Sequence, residues 1–553
     1  MNKYRKIIVV FVGLFVLTIT VSVAQIGHGG VPYSFKKNAI LSQPDVELLP
    51  YLDNKILLEE EIASVSKQEG FIFGKEIKVD YRLDNSGLWE DLNGGRLWRL
   101  SVQSTGAYSL NLIFDKFYIP PHSNLFIYTE DKSFVMGKFT EENNNQWGNF
   151  ATSLFPGDAI VLEYYEDSQD YGQGIIQLTT IVHGHKDFFF KKGTYGSSKQ
   201  CNIDANCEEG NKYPYAKRAT ALILSANKAY CSGTLMNNTA RDGKPYFLTA
   251  FHCIDVNQNR ELSQKEIDDA QKWVFVFNYE STDCNESPEK QKYSINGAKL
   301  LAAYPHSDFA LFLLNNKPTK DFNAYYAGWD RRNIATAGAF CFHHPNGDTK
   351  KISKNNKLLD SSKWDEDDYI FPDNTHWKVT SWDMGTTEGG SSGSALFNVL
   401  EQVIGQLEGG IARCNGTNPD NGYDLYGKFS YSWTNDNNTG RNRLDYWLDS
   451  LGTGEEVIQG YDHFQKSNAI YDFNESIAKI SLSPNPANNK VRIEANSQIL
   501  SYTIYAISGQ RIKSETINSW SIDLNVKDLS DGIYIIELQT KNGTVHKKLA
   551  VQR

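Results

Sequence analysis

Cysteine is absent before residue 201 and after residue 414 of this 553-residue chain. Any disulfide framework is therefore confined to one segment, which stands apart from its flanks as a stapled domain. None of the seven cysteines falls in a CxxC pair, which disfavours a zinc cluster. An excess of basic charge is missing too. The 56 Lys and Arg against 66 Asp and Glu leave a net charge of −10, without the footprint that nucleic-acid binding needs. Beyond residue 24, no apolar run is long enough to span a bilayer.

Aromatics are plentiful at 13% of residues, which favours packed β-rich domains over disorder. The length calls for about three or four domains. Lys3, Arg5 and Lys6 precede an apolar run from Ile7 to Val23, and Ser22 and Ala24 supply a small-x-small cleavage pattern. Residues 1–24 read as a signal peptide, so the protein is expected to be exported. Outside the cytoplasm the clustered cysteines read as disulfides, and an odd number leaves at least one thiol unpaired.

Residues 25–192 carry short alternating runs such as "GRLWRLSVQS", "AYSLNLIF", "NLFIYTE" and "DAIVLEYYE", the pattern of a β-sandwich-like domain. Lys191-Lys192, followed by Gly and Ser, reads as an exposed, cleavable junction or as an ordinary linker. The region 193–460 is also mainly β, with "RATALILS", "KWVFVFNY", "DFALFLLN" and "EQVIGQLEGG", closed by a more helical "RLDYWLDSLG". A linker over 461–474 leads to residues 475–553, where Pro-Asn-Pro, Ser-Gly, Asp-Gly and Asn-Gly turns punctuate about six short strands of a small β-sandwich.

Three landmarks follow in order within the cysteine-bearing region. They are His252 in "YFLTAFHC", Asp308 in "YPHSDFALFLLN", and the turn "GTTEGGSSGSALF" with Ser391, Ser392 and Ser394. Acyl transfer by serine needs a base for the hydroxyl proton, a carboxylate to orient that base, and backbone N–H groups for the oxyanion. Each landmark alone has a bland reading as a structural His, a turn Asp or a linker. Together, in the order His, Asp, Ser, they follow the chymotrypsin arrangement.

These motifs, with "CNIDANC", "CSGTLMNN", "FNYES", "AGWDRRN", "HHPNGDTKKIS", "GQLEGG" and "YDLYGKFSYSW", resemble the lysyl endopeptidases, secreted serine proteases of the chymotrypsin fold. The resemblance covers about residues 193–440. It implies two six-stranded β-barrels with the active site between them, so the fold class expected is mainly β, a double barrel between two β domains. It also implies His252 as general base, Asp308 as orienting carboxylate and Ser392 as nucleophile, with Gly390 and Ser392 donating the oxyanion-hole N–H groups. Asp424 matches the aspartate at the base of the primary pocket. A buried carboxylate there asks for a cationic partner, Lys or Arg by the physics and Lys by the resemblance. Gly409 and Gly410 match the edge that pairs with substrate backbone, and Trp382 a tryptophan near the cleft or in the core.

The resemblance pairs Cys201 with Cys414, Cys207 with Cys284 and Cys231 with Cys253, leaving Cys341 as a buried small hydrophobe. His343-His344 matches its scaffold rather than a metal site. Two positions depart from the family. Ala395 stands where Pro is usual. Glu408 stands where the family has His, and a carboxylate there favours protonated His252. No cofactor is required. An insertion, "DVNQNRELSQKE", puts Asp255, Asn257, Asn259, Glu261 and Glu266 at the spacing of a calcium loop, but with Arg260 where Gly belongs, so it reads as a solvated polar insertion or a structural calcium site.

Residues 25–192 are similar to the propeptide of these proteases, with a new amino terminus expected at Gly193, or Lys199 as the alternative cut. The last segment, with "SPNPANN", "YAISGQ" and "LSDGIYIIEL", resembles the sorting domain of type IX secretion. The expected product is a monomeric endopeptidase acting on proteins and peptides, exported through the periplasm by that machinery to the surface or beyond. The rival readings are an Arg- or mixed-specificity protease and a surface binding protein on a catalytically weak scaffold.

Overall fold

The apolar runs singled out above become strands: Gly95–Gln103, Asn124–Thr129, Ala159–Asp167, Val274–Phe277, Phe309–Leu314 and Gln402–Gly410. The structure, a computed structural model, describes residues 27, 29–36, 41–44, 46–64, 71–187, 197–284, 293–365, 370–434, 440–464, 480–506, 511–540 and 543–553. The leader 1–24, the Lys191-Lys192 junction with Gly193, and most of the 461–474 linker lie outside these residues. The chain divides into two units, 1–464 and 465–553.

In the first unit, the N-terminal region stacks two sheets. One runs Val46–Leu48, Gly95–Gln103, Ala159–Asp167, Asn124–Thr129, Val135–Phe139; the other runs Phe155–Pro156, Ser109–Tyr118, Ile175–Gly184, Gly74–Arg82. Trp98, Leu100, Leu112, Phe114, Ile127 and Leu162 fill the space between them. The period of two along each strand puts one face of each sheet into this core.

The rest of the unit forms two larger sheets, a half-barrel and a near-closed barrel. The first follows Tyr293–Asn296, Val274–Phe277, Thr220–Ser225, Lys228–Met236, Tyr246–Ala250, Phe309–Leu314, Ala298–Tyr304. The second follows Ile203–Asp204, Lys351–Leu358, Ala337–His343, Ala395–Asn398, Gln402–Gly410, Asp424–Lys428, His376–Val379, Asp360–Ser362. Counting side branches, they hold 8 and 10 strands rather than six each. The first gains Phe71–Ile72 from the N-terminal region, and the second gains the short strands Gly328–Asp330 and Val457–Ile458. The late helix is shorter than expected, Asp445–Leu448, and a second forms at Phe429–Trp433.

The bridges Cys201–Cys414, Cys207–Cys284 and Cys231–Cys253 all close as the resemblance implies. Cys341 is the free, buried thiol, and burial pushes it up to about 12, so it packs as an apolar side chain.

Among its described residues the second unit has five strands rather than about six, and two are long: Lys490–Ala506 and Arg511–Asn525. The register shift between Glu494 and Ile499 lets the long strand bend. Its two halves then share one core, with Val491, Ile493, Ile504 and Leu538 packed together.

Candidate active site

His252 lies in the turn Phe251–Cys253 at the end of the strand Tyr246–Ala250. Asp308 opens the neighbouring strand, and Ala250 pairs with Phe309, so the two strand ends bring both residues together. Oδ1 of Asp308 accepts from the His252 backbone N–H at 2.9 Å, and Oδ2 lies 2.8 Å from Nδ1. Asp308 is fully buried in a left-handed conformation at φ 51°, which Asp tolerates better than most residues. The Cys231–Cys253 bridge anchors the residue next to His252.

The serine turn distinguishes its three hydroxyls. Ser391 and Ser394 are fully buried, whereas Ser392 is partly exposed and lines a cavity of about 670 Å³ together with His252. Ser391 is committed elsewhere. The Ser353 hydroxyl donates to the Thr386 carbonyl at 2.9 Å, so it accepts from Nε2–H of His343 at 3.0 Å. Nδ1 of His343 then accepts from the Ser391 hydroxyl at 2.7 Å, and that oxygen accepts the Glu388 N–H at 3.0 Å. This chain fixes the tautomer of His343 and clips both ends of the turn. Burial and the Lys351 charge hold the His343 ring down at about 3, so it stays neutral.

Gly390 and Ser392 also line the cavity, and their backbone N–H groups donate to no protein acceptor among the described residues. Two donors are thus left beside the Ser392 hydroxyl, the arrangement that an oxyanion would require. Gly393, at φ +78°, comes so close to the first sheet that a Cβ there would lie 2.1 Å from Thr249 Oγ1.

Asp424 is buried one layer behind the cavity wall. Its Oδ2 accepts from Trp382 Nε1 at 2.6 Å and Thr387 Oγ1 at 2.8 Å, and Thr387 is itself a wall residue. A Cβ at Gly410 would meet Asp424 Oδ1 at 2.4 Å, so glycine keeps the space above the carboxylate open. Burial raises the Asp424 carboxyl to about 6, against the two hydrogen bonds. Gly409 and Gly410 pair with Leu425 and Asp424 on one side and line the cavity on the other. Trp382 is a buried donor to the pocket carboxylate, while the tryptophan on the cavity wall is Trp364, against Gly409.

Glu408 lines the cavity and is held by two partners. His376 Nε2 lies 2.6 Å from Oε2, and Arg260 Nη1 lies 3.0 Å from Oε1. Arg260 comes from the insertion, in which Asp255 accepts from the N–H groups of Asn259 and Arg260. Asn257 and Asn259 cap the next turns, and Glu266 accepts from Ser263 and Asn257. Glu261 lends its N–H to Asn259. These side-chain oxygens brace the loop that delivers Arg260 to Glu408.

Burial opposes the charged form of His252, but Asp308 outweighs it by charge and by hydrogen bond; Glu408 adds to the rise and Arg260 subtracts. The His252 ring therefore titrates above the ordinary histidine value. If His252 is the general base, only its neutral ring can take a proton, so the acid limb of kcat/KM should lie above that value. Glu408→Gln should shift the limb to lower pH and Arg260→Gln to higher pH. A pH–rate profile of each variant checks the pair of opposite shifts.

Residues 195–427 match the family model "Lysyl endopeptidase, C-terminal domain", and residues 481–552 match "Secretion system C-terminal sorting domain". A curated lysyl endopeptidase of Pseudomonas aeruginosa (strain PAO1) is 29% identical over 292 residues, 50% of this chain and 58% of the relative. The alignment thus spans a little over half of that protein's length. A crystal structure of Rv3671c from M. tuberculosis H37Rv, in an inactive form, aligns over 39% of this chain and 84% of that one. Its TM-score of 0.25 at 12% identity is too slight a likeness to bear on the fold. The two domain matches bear out the protease and sorting-domain resemblances seen in the sequence.

Proposed function

From a chain that carries a lysyl endopeptidase C-terminal domain and a secretion sorting domain, we propose a secreted serine endopeptidase that cuts on the carboxyl side of lysine. The observation that carries this reading is His252, held by buried Asp308, in one cavity with a partly exposed Ser392 and two N–H donors unengaged among the described residues. Ser392 Oγ attacks the scissile carbonyl carbon while His252 Nε2 takes its proton. The electron pair displaced from the carbonyl goes to its oxygen, which the N–H groups of Gly390 and Ser392 receive. His252 then gives its proton to the leaving amine as the C–N bond breaks. Water, activated by the same base, hydrolyses the acyl-enzyme. No step draws on a cofactor.

Asp424 supplies the selectivity in this reading. A substrate lysine entering past Gly410 and Thr387 brings an ammonium to a carboxylate that burial has left short of a counter-charge. Asp424→Ala should lower kcat/KM for a lysyl substrate at least about 100-fold, from the ~3 kcal/mol or more lost when a buried pair is broken. The preference for the lysyl over the alanyl substrate should also fall as pH drops through about 6, where the empty pocket carboxyl protonates. The steady-state kinetics of wild type and variant on matched Lys, Arg and Ala substrates read both effects.

The sorting domain marks the protein for secretion or the cell surface, and the type IX machinery is its partner there. A fluorophosphonate probe tests the catalytic reading: we expect covalent label on Ser392, lost in His252→Ala. An unlabelled, folded protein would favour a binding role on an inactive scaffold instead.

A further inference from the structure

The strands Thr220–Ser225 and Val274–Phe277 are apolar on both faces. Ala221, Ile223, Phe275 and Phe277 point into the core of the first barrel. Leu222, Leu224, Val274 and Val276 alternate with them and point outward. Strands with one face in water alternate apolar and polar residues, and these two do not.

The N-terminal region covers the outward face. Phe73, Ile113, Leu154 and Val182 pack into one cluster with those four side chains, and Phe73 is fully buried. Polar contacts frame it. Phe71–Ile72 pairs antiparallel with Lys228–Ala229, and Phe73 N–H donates to Asn227 O at 3.0 Å. Asn227 Nδ2 donates to Gly74 O at 3.0 Å, and Lys272 Nζ pairs with Asp115 Oδ1 at 2.7 Å. The cavity is elsewhere: its walls, among the described residues, run from Lys199 to Arg413, and none belongs to residues 27–187. If the N-terminal region left, the catalytic domain would expose a contiguous apolar face of a kind that soluble monomers rarely carry.

We propose that the N-terminal domain is a lasting partner of the catalytic domain: after the 188–196 segment is cut, it stays bound to the outer face of the first barrel and leaves the catalytic cavity open. The interface claim stands on its own, and the open-cavity claim rests on the serine-protease reading above. The domain acts here as a non-covalent subunit that completes the sheet beside Tyr230 and Cys231, themselves cavity walls.

The test uses the full chain with a recognition site for an unrelated, specific protease inserted within 188–196. In a Ser392→Ala background, the two pieces should co-elute after cutting at the size of the uncut chain. Leu224→Asp with Val276→Asp should release the N-terminal piece. Should that variant fail to fold, the Lys272→Asp and Asp115→Lys single variants should each weaken retention, and the double charge swap should restore it. In the Ser392 background, with Lys191→Ala and Lys192→Ala, the uncut chain should react with a fluorophosphonate within about two-fold of the cut complex.

Separation of the two pieces on the column under native conditions would overturn the retained interface. Labelling of the uncut chain more than ten-fold slower than the cut complex would overturn the open cavity. Absence of labelling in both forms would instead refute the catalytic reading and the open-cavity claim with it, and co-elution would still decide the interface.

Discussion

Ser392→Ala should lower kcat by about 10⁶-fold, roughly 8 kcal/mol of transition-state stabilisation, while leaving the fold intact. The loss is this large because the hydroxyl is the only atom of the turn that bonds to substrate carbon, and His252 has nothing to activate without it. A residue of about 10³–10⁴ over water should survive, from the Gly390 and Ser392 N–H donors and from substrate binding. The neighbouring serines make the internal control. Ser391→Ala strips a buried hydroxyl from Nδ1 of His343 and from the Glu388 N–H, so its effect falls on stability, about 1–3 kcal/mol. Its kcat should stay far above that of Ser392→Ala. Steady-state kinetics with thermal melts on the two variants separate the roles.

Asp308→Asn should cost about 10⁴-fold in kcat, with KM little changed, by the precedent of the same change in a serine protease triad. The reason is the proton inventory. Asp308 accepts twice from His252, from the backbone N–H and from Nδ1–H, and the second bond leaves Nε2 free as an acceptor facing the cavity. An amide at this position donates to Nδ1 instead, so the ring carries its proton on Nε2 and cannot take the one from Ser392. Loss of the buried charge should also lower the His252 pKa, since Asp308 is what outweighs burial there. The residual activity should therefore show its acid limb at lower pH than wild type, which a pH–rate profile of the variant measures.

The candidate catalytic residues were legible because each is flagged by its own short motif, in a fixed order, close to a strand end. The resemblance singled out Ser392 among three adjacent serines, but it carried no physical reason why the other two are held back. For Ser391 that reason is His343 and Ser353, which approach it from a different part of the second sheet. Glu408 was readable as a charge near the base, but its restraint was not. Arg260 and His376 reach it from separate segments, and Arg260 had been visible only as the residue that spoils a calcium spacing. Trp382 was open between cleft and core; it lies buried behind the wall, and Trp364 takes the place on the wall itself. The strand counts differed because a local pattern does not announce which distant edge a two-residue strand will join. Within "KWVFVFNY" the four residues Val274 to Phe277 are all apolar, the pattern of a strand buried on both faces, but only the fold names Phe73 and Val182 as what lies on the second face.

Mass spectrometry of a defined peptide mixture digested by the secreted protein tests the central claim most directly, with Ser392→Ala as the control. The account predicts new carboxyl termini that are overwhelmingly lysine, absent from the control digest. Termini that are mainly arginine, a mixture of both, or cleavage that persists in Ser392→Ala would contradict it.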